Sequence, residues 1–333
     1  MINVVGWYGK RNVGDDAFVN AFAEALRLSG LQEKIVHLEQ APKSGEPALL
    51  GGGDVIRPFY VDSFSREQIL IPFGVGLGYE SEADLLKHKA VPFCVVRNKA
   101  DCELLKTANV DARFCPDLTF VLPDPVPALD SRDGSEKKRL CILLSDEVSP
   151  TFEDRAASKY MYYEYFKWEL AKILDSLQEY YWVHMAAFST LPSIDDRRIN
   201  QDIYRRMETR NKVRLNEPFS SVIEARNFIA GFDLVITMKY HGMLFAVQSG
   251  VPFINLAETR KTQLFCQENG FQTLSVPPYS LEFGRVMSLV KTAENPSVRE
   301  RLTRKGAELK ATAKRELPDL LRKAAGAITA GRR

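Results

Sequence analysis

The chain has 333 residues, of which 45% are hydrophobic and 26% are charged, and its formal net charge is +2. This composition is typical of a folded globular protein, and the near-neutral charge gives no electrostatic reason to expect a nucleic-acid partner. At about 150 residues per domain, the length predicts two domains.

The cysteines and the apolar runs indicate the compartment. No apolar run reaches the ~18 residues that a membrane span needs, and Met1 leads directly into a strand pattern instead of a signal peptide. No two cysteines have CxxC spacing. This scattered pattern is typical of buried, reduced thiols and argues against a disulfide framework or a zinc site. The cysteines are Cys94, Cys102, Cys115, Cys141 and Cys266. The sequence therefore predicts a soluble, cytoplasmic protein without a metal site.

The first part of the chain alternates strand and helix patterns. A strand predicted over residues 2–7 is followed by a glycine-rich loop and by a helix predicted over residues 17–28. Further strand-like runs lie at 34–38, 48–50, 69–74, 92–97 and 112–115, and helix-like runs at 82–89 and 99–107. Such alternation predicts a parallel sheet covered on both faces. We therefore expect a Rossmann-like domain over residues 1–122.

A second alternation follows a polar segment. Residues 123–138 contain three prolines and the string SRDGSEKK, which predicts a linker. Beyond it, strands are predicted at 140–144, 182–187 and 213–215, and helices at 159–178, 195–207 and 222–230. Residues 139–296 therefore form a second Rossmann-like domain, which we expect to bind the donor.

The last segment, residues 297–333, predicts a long helix that is broken near Pro318 and that is able to reach back to the first domain. An α/β chain of two Rossmann-like domains that face a central cleft has the GT-B architecture. The ligand is then expected between the two domains.

The clearest candidate site lies in LVITMKYHGMLFAVQSGVPFINL, residues 234–256. An apolar strand brings Lys239, Tyr240 and His241 to a turn, and Gly242 opens an apolar helix. The carboxyl ends of strands face the ligand crevice in open α/β sheets, and a helix N-terminus there favours an anion. We therefore expect this turn to bind a phosphate or a carboxylate.

Two glycine-rich loops also follow strands. The first, GxxGxxNxGDD, carries Asn12, Asp15 and Asp16 but has neither the spacing of a dinucleotide fingerprint nor the end of a P-loop. Its residues are expected to cap the following helix, to line the ligand site, or to do both. In the second, GGGD, Gly52 and Gly53 allow a close approach either of a ligand or of a packed helix.

Other polar residues stand at similar positions. Arg97 closes a predicted strand of the first domain, and Lys261 lies 20 residues beyond His241. With Lys239 and His241 they form a possible anion-binding set from both domains. His184 lies in a predicted strand and Asp196 opens the next helix; both are either structural or face the crevice, where a carboxylate orients or deprotonates a hydroxyl.

The ordered motifs of the chain resemble those of the polysaccharide pyruvyltransferase family over residues 2–270. They are GWYGKRNVGDDA, LLGGGD, VVRNKAD, CPDLTFVL and DLVITMKYHGMLFAVQSGVPFINL, with Lys261 shortly after. The resemblance implies a GT-B-like transferase that uses phosphoenolpyruvate as co-substrate, without another cofactor. It also implies that the product is a pyruvate ketal across two hydroxyls of a sugar, and that Arg97, His241 and Lys261 bind the donor or catalyse the transfer.

The chemistry of that reaction suits these residue types. Phosphoenolpyruvate carries a phosphate and a carboxylate, which arginine and lysine neutralise. Its methylene carbon must gain a proton and the sugar hydroxyl must lose one, and a histidine with an ordinary pKa near ~6.5 can perform both transfers. We therefore predict that His241 is the acid or a phosphate ligand, and that Arg97 and Lys261 hold the donor.

The remaining candidates are divided between the two substrates. The residues predicted on the donor side are Lys239, Tyr240, Gly242, Gly52 and Gly53, and those predicted on the acceptor side are Asn12, Asp15, Asp16, His184 and Asp196. Two positions depart from the family pattern: Lys239 stands where the family has an arginine, and Asn98 follows Arg97 in place of an acid. Lysine keeps the charge there but loses the bidentate geometry of arginine.

Two other functions remain open for this fold. One is a nucleotide-sugar glycosyltransferase, and the other is a non-catalytic protein that binds sugars. Under the family resemblance, the role is in polysaccharide biosynthesis, for an exopolysaccharide or the cell envelope. The partners are then phosphoenolpyruvate and a free or lipid-linked saccharide, and peripheral contact with a membrane remains open.

Overall fold

The computed structural model describes residues 1–127, 137–146, 157–256 and 259–331. Within these ranges the chain forms two parallel sheets, each covered by helices, as predicted for the two Rossmann-like halves. None of the helices in the described ranges is long and apolar enough to cross a lipid bilayer. All five cysteines are buried and unpaired.

The first sheet has the strand order β2-β1-β3-β4-β5-β6 among the described residues. Its strands are β1 (Ile2–Val5), β2 (Ile35–Leu38), β3 (Ala48–Gly53), β4 (Leu70–Val75), β5 (Cys94–Val96) and β6 (Ala112–Phe114). Strands β1, β3 and β4 are buried along their whole length, which is typical of a parallel sheet with both faces covered. Successive residues of β3, such as Leu49 and Leu50, therefore point to opposite faces of the sheet and belong to two different hydrophobic cores.

The second sheet has the order β11-β8-β7-β12-β13. Its strands are β7 (Lys138–Leu143), β8 (Tyr181–Ala186), β11 (Val213–Leu215), β12 (Leu234–Thr237) and β13 (Phe253–Asn255). Strand β12 lies at the centre, pairing with β7 on one side and with β13 on the other. A short antiparallel hairpin, β9 (Thr190–Leu191) with β10 (Ile194–Asp195), lies outside this sheet.

The helices mostly connect successive strands, as in other parallel α/β folds. In chain order they are α1 (Val13–Ser29), α2 (Pro58–Val61), α3 (Lys99–Thr107), α4 (Ala157–Leu177), α5 (Asp196–Arg206), α6 (Val222–Ala230), α7 (Tyr240–Gln248), α8 (Arg260–Asn269), α9 (Phe283–Ala293) and α10 (Pro296–Ala330). The segment predicted as a helix over 82–89 is a 3₁₀ helix at Glu80–Leu86.

The C-terminal helix α10 reaches back to the first half, as expected. Arg322 Nη1 donates a hydrogen bond of 2.9 Å to the carbonyl oxygen of Ser29, at the end of α1. The predicted break at Pro318 is wrong, because α10 continues through this residue. A proline inside a helix costs ~3 kcal/mol, but the buried Leu317 and Leu321 on either side anchor both halves of α10 in the core.

The predicted domain boundaries remain predictions. The chain passes from the first sheet to the second within the segment predicted as the linker, residues 123–138, and residues 128–136 of that segment lie outside the described part of the chain. The C-terminal helix contributes to the core that also contains residues of both sheets.

Candidate functional site

A large cavity lies between the two halves, where strands of both sheets end. Its volume is about 1360 Å³. From the first half, it is lined by residues that follow the carboxyl ends of β1, β3 and β5, and from the second by residues that follow β7, β8 and β12. In that order these include Trp7, Asp54, Arg97, Ser145, Phe188 and Lys239. This is the position at which open α/β sheets bind ligands.

Arg97 and Lys261 come together across the cavity through one carboxylate. Arg97 Nη2 lies 2.5 Å from Asp54 Oδ1, and Lys261 Nζ lies 3.0 Å from Asp54 Oδ2. Arg97 Nη1 lies 3.1 Å from Asp117 Oδ2. Burial alone would raise the pKa of Asp54, but the charges of Lys261 and Arg97 lower it below its ordinary value. These four residues form a network of alternating charge, which is buried except at Lys261.

Lys261 reaches this network because helix α8 of the second half packs against the first. Arg260, the residue before it, pairs with Asp101 and donates a hydrogen bond of 3.0 Å to the carbonyl oxygen of Leu77. At the other end of α8, the carboxylate of Glu268 accepts hydrogen bonds of 3.0 and 2.9 Å from the backbone amides of Lys99 and Ala100. Glu268 therefore satisfies free amides at the start of α3.

His241 stands at the start of α7, and its ring is enclosed by aromatic side chains. The ring centroids of Phe18 and Phe245 lie 5.1 and 5.9 Å away. Burial lowers the pKa of His241 to about 4, so the imidazole is neutral at pH 7. Its Nε2 lies 3.9 Å from Asp117 Oδ2, which connects His241 to the network of Arg97.

Gly14 leaves room for the ring of His241. A Cβ atom at Gly14 would lie 2.4 Å from His241 Nδ1, closer than any real contact. Glycine is therefore required where the first turn of α1 meets α7. This close approach joins the first glycine-rich loop to the strand-end turn of the second half.

Three polar atoms at this site are buried and have no hydrogen-bond partner among the described residues. They are Arg97 Nε, Tyr240 Oη and His241 Nε2. The guanidinium of Arg97 also lies over the ring of Tyr240, with 4.3 Å between Cζ and the ring centroid. Buried polar groups in native proteins normally have partners, so a cluster of unpaired ones that lines one cavity indicates the place of a polar ligand.

Lys239 and Asp196, which the sequence assigns to different substrates, pair with each other. Lys239 Nζ lies 2.8 Å from Asp196 Oδ1 and 3.0 Å from Ser145 Oγ. Asp196 is fully buried, and it also accepts hydrogen bonds from the backbone amides of Phe188 and Ser189. Burial raises the pKa of Asp196, and the charge of Lys239 opposes that rise. Asp196 therefore fixes Lys239 and does not itself line the cavity.

The first loop both caps a helix and lines the cavity. Asn12 Oδ1 accepts a hydrogen bond of 3.1 Å from the amide of Gly14, which caps α1. Asn12 and Asp15 line the cavity, whereas Asp16 Oδ1 accepts a hydrogen bond of 2.6 Å from the amide of Gly9. The loop therefore caps α1 and lines the cavity, Asp16 serves the loop itself, and a ligand role for Asn12 and Asp15 stays a prediction.

The other predicted glycines and His184 have different positions. Gly53 lines the cavity, but a Cβ at Gly52 would lie 2.3 Å from the ring of Phe18, and one at Gly242 would lie 2.6 Å from Thr237 Oγ1. These two glycines serve close packing. The ring of His184 packs against Phe228 and Phe232, and His184 is not among the residues that line the cavity.

Sequence reasoning missed two acids and an aromatic wall. Asp54 and Asp117 follow the first-sheet strands β3 and β6, so the strand-end rule was the available signal. The aromatic residues of this wall come from several distant segments of the chain, so no single periodicity marks them as a group. The aromatic side chains that line the cavity are Trp7, Phe59, Tyr60, Tyr162, Tyr163, Phe166, Phe188, Tyr240 and Tyr279.

Residues 12–260 match the family model described as polysaccharide pyruvyl transferase. No curated protein matches the sequence as a relative. The matched residues include every residue described above in the charged network except Lys261, which follows directly.

Solved structures similar to this chain are GT-B glycosyltransferases and UDP-sugar epimerases. The UDP-GlcNAc 2-epimerase of Neisseria meningitidis bound to UDP-GlcNAc is 11% identical, with a TM-score of 0.59, over 96% of this chain and 99% of that chain. S. aureus MnaA in a co-structure with UDP is 11% identical, with a TM-score of 0.58, over 94% and 91%. The calicheamicin glycosyltransferase CalG4 is 12% identical, with a TM-score of 0.53, over 97% of both chains. At these identities the similarity shows the GT-B fold alone.

Proposed function

The chain belongs to the polysaccharide pyruvyl transferase family, and from this premise we propose that it transfers the pyruvyl group of phosphoenolpyruvate to a sugar residue as a ketal. The observation that carries the proposal is the cluster of buried, unpaired polar atoms on Arg97, Tyr240 and His241 in the cavity between the two halves. The acceptor in this proposal is a sugar residue of a glycan or of a lipid-linked saccharide.

The donor is placed between Arg97 and Lys261. Both are cations, and both already contact Asp54, which keeps them facing one another across the cavity. A phosphate or carboxylate of the donor would take the place of Asp54 as the partner of Lys261, whose side chain is 33% exposed. Arg97 Nε and Tyr240 Oη would donate to the same anion, which gives these buried donors their missing partners.

The reaction requires one proton to move to carbon and two to leave the sugar hydroxyls. A first hydroxyl adds to C2 of phosphoenolpyruvate while C3 gains a proton and becomes a methyl group. A second hydroxyl of the same sugar then displaces phosphate from C2, its proton leaves with the phosphate, and the cyclic ketal forms. His241 is neutral at pH 7, so in this proposal it accepts the first hydroxyl proton and delivers it to C3.

The aromatic wall provides a surface for the acceptor. Phe59 and Tyr162 line the cavity and remain 51% and 58% exposed. Exposed aromatic rings offer apolar area at a small entropic cost, and tyrosine adds a hydroxyl for hydrogen bonds. This combination suits a sugar ring, which has apolar faces and polar edges. The proposal therefore places the acceptor on this wall, next to His241.

The experiment is an assay of phosphate release. The purified protein is incubated with phosphoenolpyruvate and a panel of oligosaccharides and lipid-linked saccharides, and the acceptor mass is followed. We expect phosphate and an acceptor adduct in equal amounts from the wild type, and neither from His241→Gln. His88→Gln is the matched control, because His88 is exposed and lies outside the cavity.

The same assay separates the alternatives. Turnover of a nucleotide sugar with no response to phosphoenolpyruvate would identify a glycosyltransferase instead. Stabilisation of the protein by a glycan, without turnover of either donor, would identify a sugar-binding protein. Equal phosphate release by the wild type and His241→Gln would remove His241 from the mechanism.

A further inference from the structure

We propose that Asp117 is a positioning residue that fixes the side chains of His241 and Arg97 relative to each other, and that Thr119 and Gln248 hold Asp117 in place. The proposal deepens the function proposed above and rests on it for its catalytic meaning. Its structural part is independent of the substrate. The family resemblance assigns no role to these three residues, and the strand-end rule only places Asp117 near the cavity.

The two oxygens of the Asp117 carboxylate have separate partners. Oδ1 accepts hydrogen bonds from the backbone amide and the hydroxyl of Thr119, at 3.0 and 2.8 Å. Oδ2 accepts a hydrogen bond of 3.1 Å from Arg97 Nη1 and lies 3.9 Å from His241 Nε2. Asp117 is 2% exposed. Thr119 therefore fixes the rotation of the carboxylate and leaves Oδ2 directed towards the two candidate functional groups.

Thr119 is in turn held by Gln248. Gln248 Nε2 donates a hydrogen bond of 3.1 Å to Thr119 Oγ1, and Gln248 Oε1 accepts one of 3.1 Å from Arg226 Nη2. Because Thr119 Oγ1 accepts from Gln248, its own proton is directed to Asp117 Oδ1. This order of donors fixes the direction of every hydrogen bond from Arg226 to Asp117.

The chain of hydrogen bonds returns to the helix that carries the histidine. His241 and Gln248 lie at opposite ends of α7. In the first half, Asp117 caps a 3₁₀ helix at Leu118–Val121, and Thr119 lies within that helix. Asp117 is therefore linked to both ends of α7: it lies next to His241, and it is connected to Gln248 through Thr119. This arrangement sets the position of α7 against the first half, and with it the position of His241 against Arg97.

Asp117 also favours the protonated form of His241. The charged groups that act on His241 are Asp117 and Asp54, which favour the imidazolium, and Arg97 and Lys261, which oppose it. Among the carboxylates, Asp117 has the larger effect. A histidine that delivers a proton to carbon must carry that proton for part of the cycle, so the carboxylate beside Nε2 supports that state.

The test compares Asp117→Asn and Thr119→Val with the wild type by NMR of protein labelled with ¹³C at histidine Cε1. The chain has four histidines, and His241→Gln assigns the relevant resonance. The ligand-free proteins are titrated from pH 7.5 down to pH 4.5. Since the wild-type pKa is about 4, roughly a tenth of the His241 rings are protonated at pH 5, which is visible as the start of a shift.

We expect this shift to be absent in Asp117→Asn and reduced in Thr119→Val. The matched control is Thr107→Val, because the Thr107 hydroxyl donates to the carbonyl oxygen of Leu104 at its own exposed helix end. The His241 resonance of this variant should titrate as in the wild type. The same His241 titration in wild type and in both variants would overturn the proposal. If Asp117→Asn fails to fold, Thr119→Val decides, since it removes the hydroxyl bond and keeps the carboxylate.

A second readout is the pH profile of phosphate release. We expect kcat to fall by roughly 10- to 100-fold in Asp117→Asn with a smaller change in KM for phosphoenolpyruvate, because removal of an acid–base group itself costs about 100-fold or more. An unchanged kcat profile in a folded Asp117→Asn protein would contradict the catalytic meaning. If no donor is turned over by the wild type, the proposed function fails, while the NMR comparison still tests the positioning role.

Discussion

Lys239 Nζ lies 2.8 Å from Asp196 Oδ1, so the lysine that follows the central strand of the second sheet already has a carboxylate partner. The same holds for Lys261 with Asp54 and for Arg97 with Asp54 and Asp117. These three cations of the cavity are therefore paired with carboxylates before any ligand arrives. An anionic donor has to displace a carboxylate or bring a proton with it.

The first prediction concerns the stability that the Lys239 pair provides. Lys239→Ala leaves Asp196 buried without its cation, and removing one partner of a buried pair costs about 3 kcal/mol of unfolding free energy. Chemical denaturation measures this loss. Lys106→Ala is the control, because its pair with Glu103 is exposed and should contribute nothing measurable. Equal midpoints for both variants would show that the Lys239 pair is not formed in solution.

The second prediction concerns protons taken up with the donor. Burial lowers the pKa of His241 to about 4, so the free protein carries a neutral ring at pH 6 to 7. A bound anion favours the imidazolium and raises this pKa, so binding takes up a fraction of a proton near pH 6 while the ring stays mostly neutral at pH 7, and donor affinity rises as the pH falls towards 6. Calorimetry in buffers with different ionisation enthalpies measures the uptake. His241→Gln should lose this component, and an unchanged uptake would contradict it.

The third prediction separates the charge of Arg97 from its geometry. Arg97→Lys keeps the cation, but its single nitrogen cannot occupy the three separate positions from which Nη1, Nη2 and Nε face Asp117, Asp54 and the ligand. Loss of one charged hydrogen bond corresponds to about 2 kcal/mol, or about 30-fold in kcat/KM for phosphoenolpyruvate. Steady-state kinetics checks it against Arg113→Lys, whose partner Asp111 is exposed. Full activity of Arg97→Lys would mean that charge alone suffices.

The fourth prediction uses a single methyl group to displace the histidine. In Gly14→Ala, the new Cβ would lie 2.4 Å from His241 Nδ1, so the ring must move. A displacement of this kind lowers turnover by up to about 100-fold. Gly284→Ala adds the same methyl group where no atom lies within 4 Å, and it should retain wild-type turnover. Identical kinetics for the two variants would show that the position of His241 does not matter.

The fifth prediction concerns the acceptor. Tyr162→Ala removes an exposed ring from the cavity wall, and we expect KM for the acceptor to rise about 5-fold, from roughly 1 kcal/mol of lost aromatic contact, with KM for the donor unchanged. Tyr180→Ala is the control, since Tyr180 is similarly exposed but lies outside the cavity. A parallel rise in both KM values would place Tyr162 with the donor or in the fold.

The fold and part of the site follow from the sequence because both depend on local pattern. Alternating strands and helices indicate two parallel sheets, and polar residues after strands indicate the cleft. Arg97 and His241 are singled out in this way and Lys261 through the family resemblance, and the structure brings all three to one cavity. Asp54 was quoted within a motif but had no role, because its partner Lys261 lies on a helix that the sequence analysis did not predict.

The rest depends on relationships between distant elements. The pairing of Lys239 with Asp196 requires the first residue of α5 to lie next to the turn that follows β12, and no periodicity encodes this. The direction in which His184 points depends on which face of β8 packs against α6, where Phe228 lies. The continuity of α10 through Pro318 is decided by the burial of its neighbours, which outweighs the local preference of proline.

The most direct test of the donor site is a crystal structure of the protein soaked with phosphoenolpyruvate. We expect the phosphate or the carboxylate of the donor within about 3 Å of Arg97 and Lys261, with Tyr240 Oη and His241 Nε2 as further contacts. Lys261 should have left Asp54. The account would be contradicted if crystals soaked with phosphoenolpyruvate showed no donor in the cavity while crystals soaked with a nucleotide sugar bound it at this place.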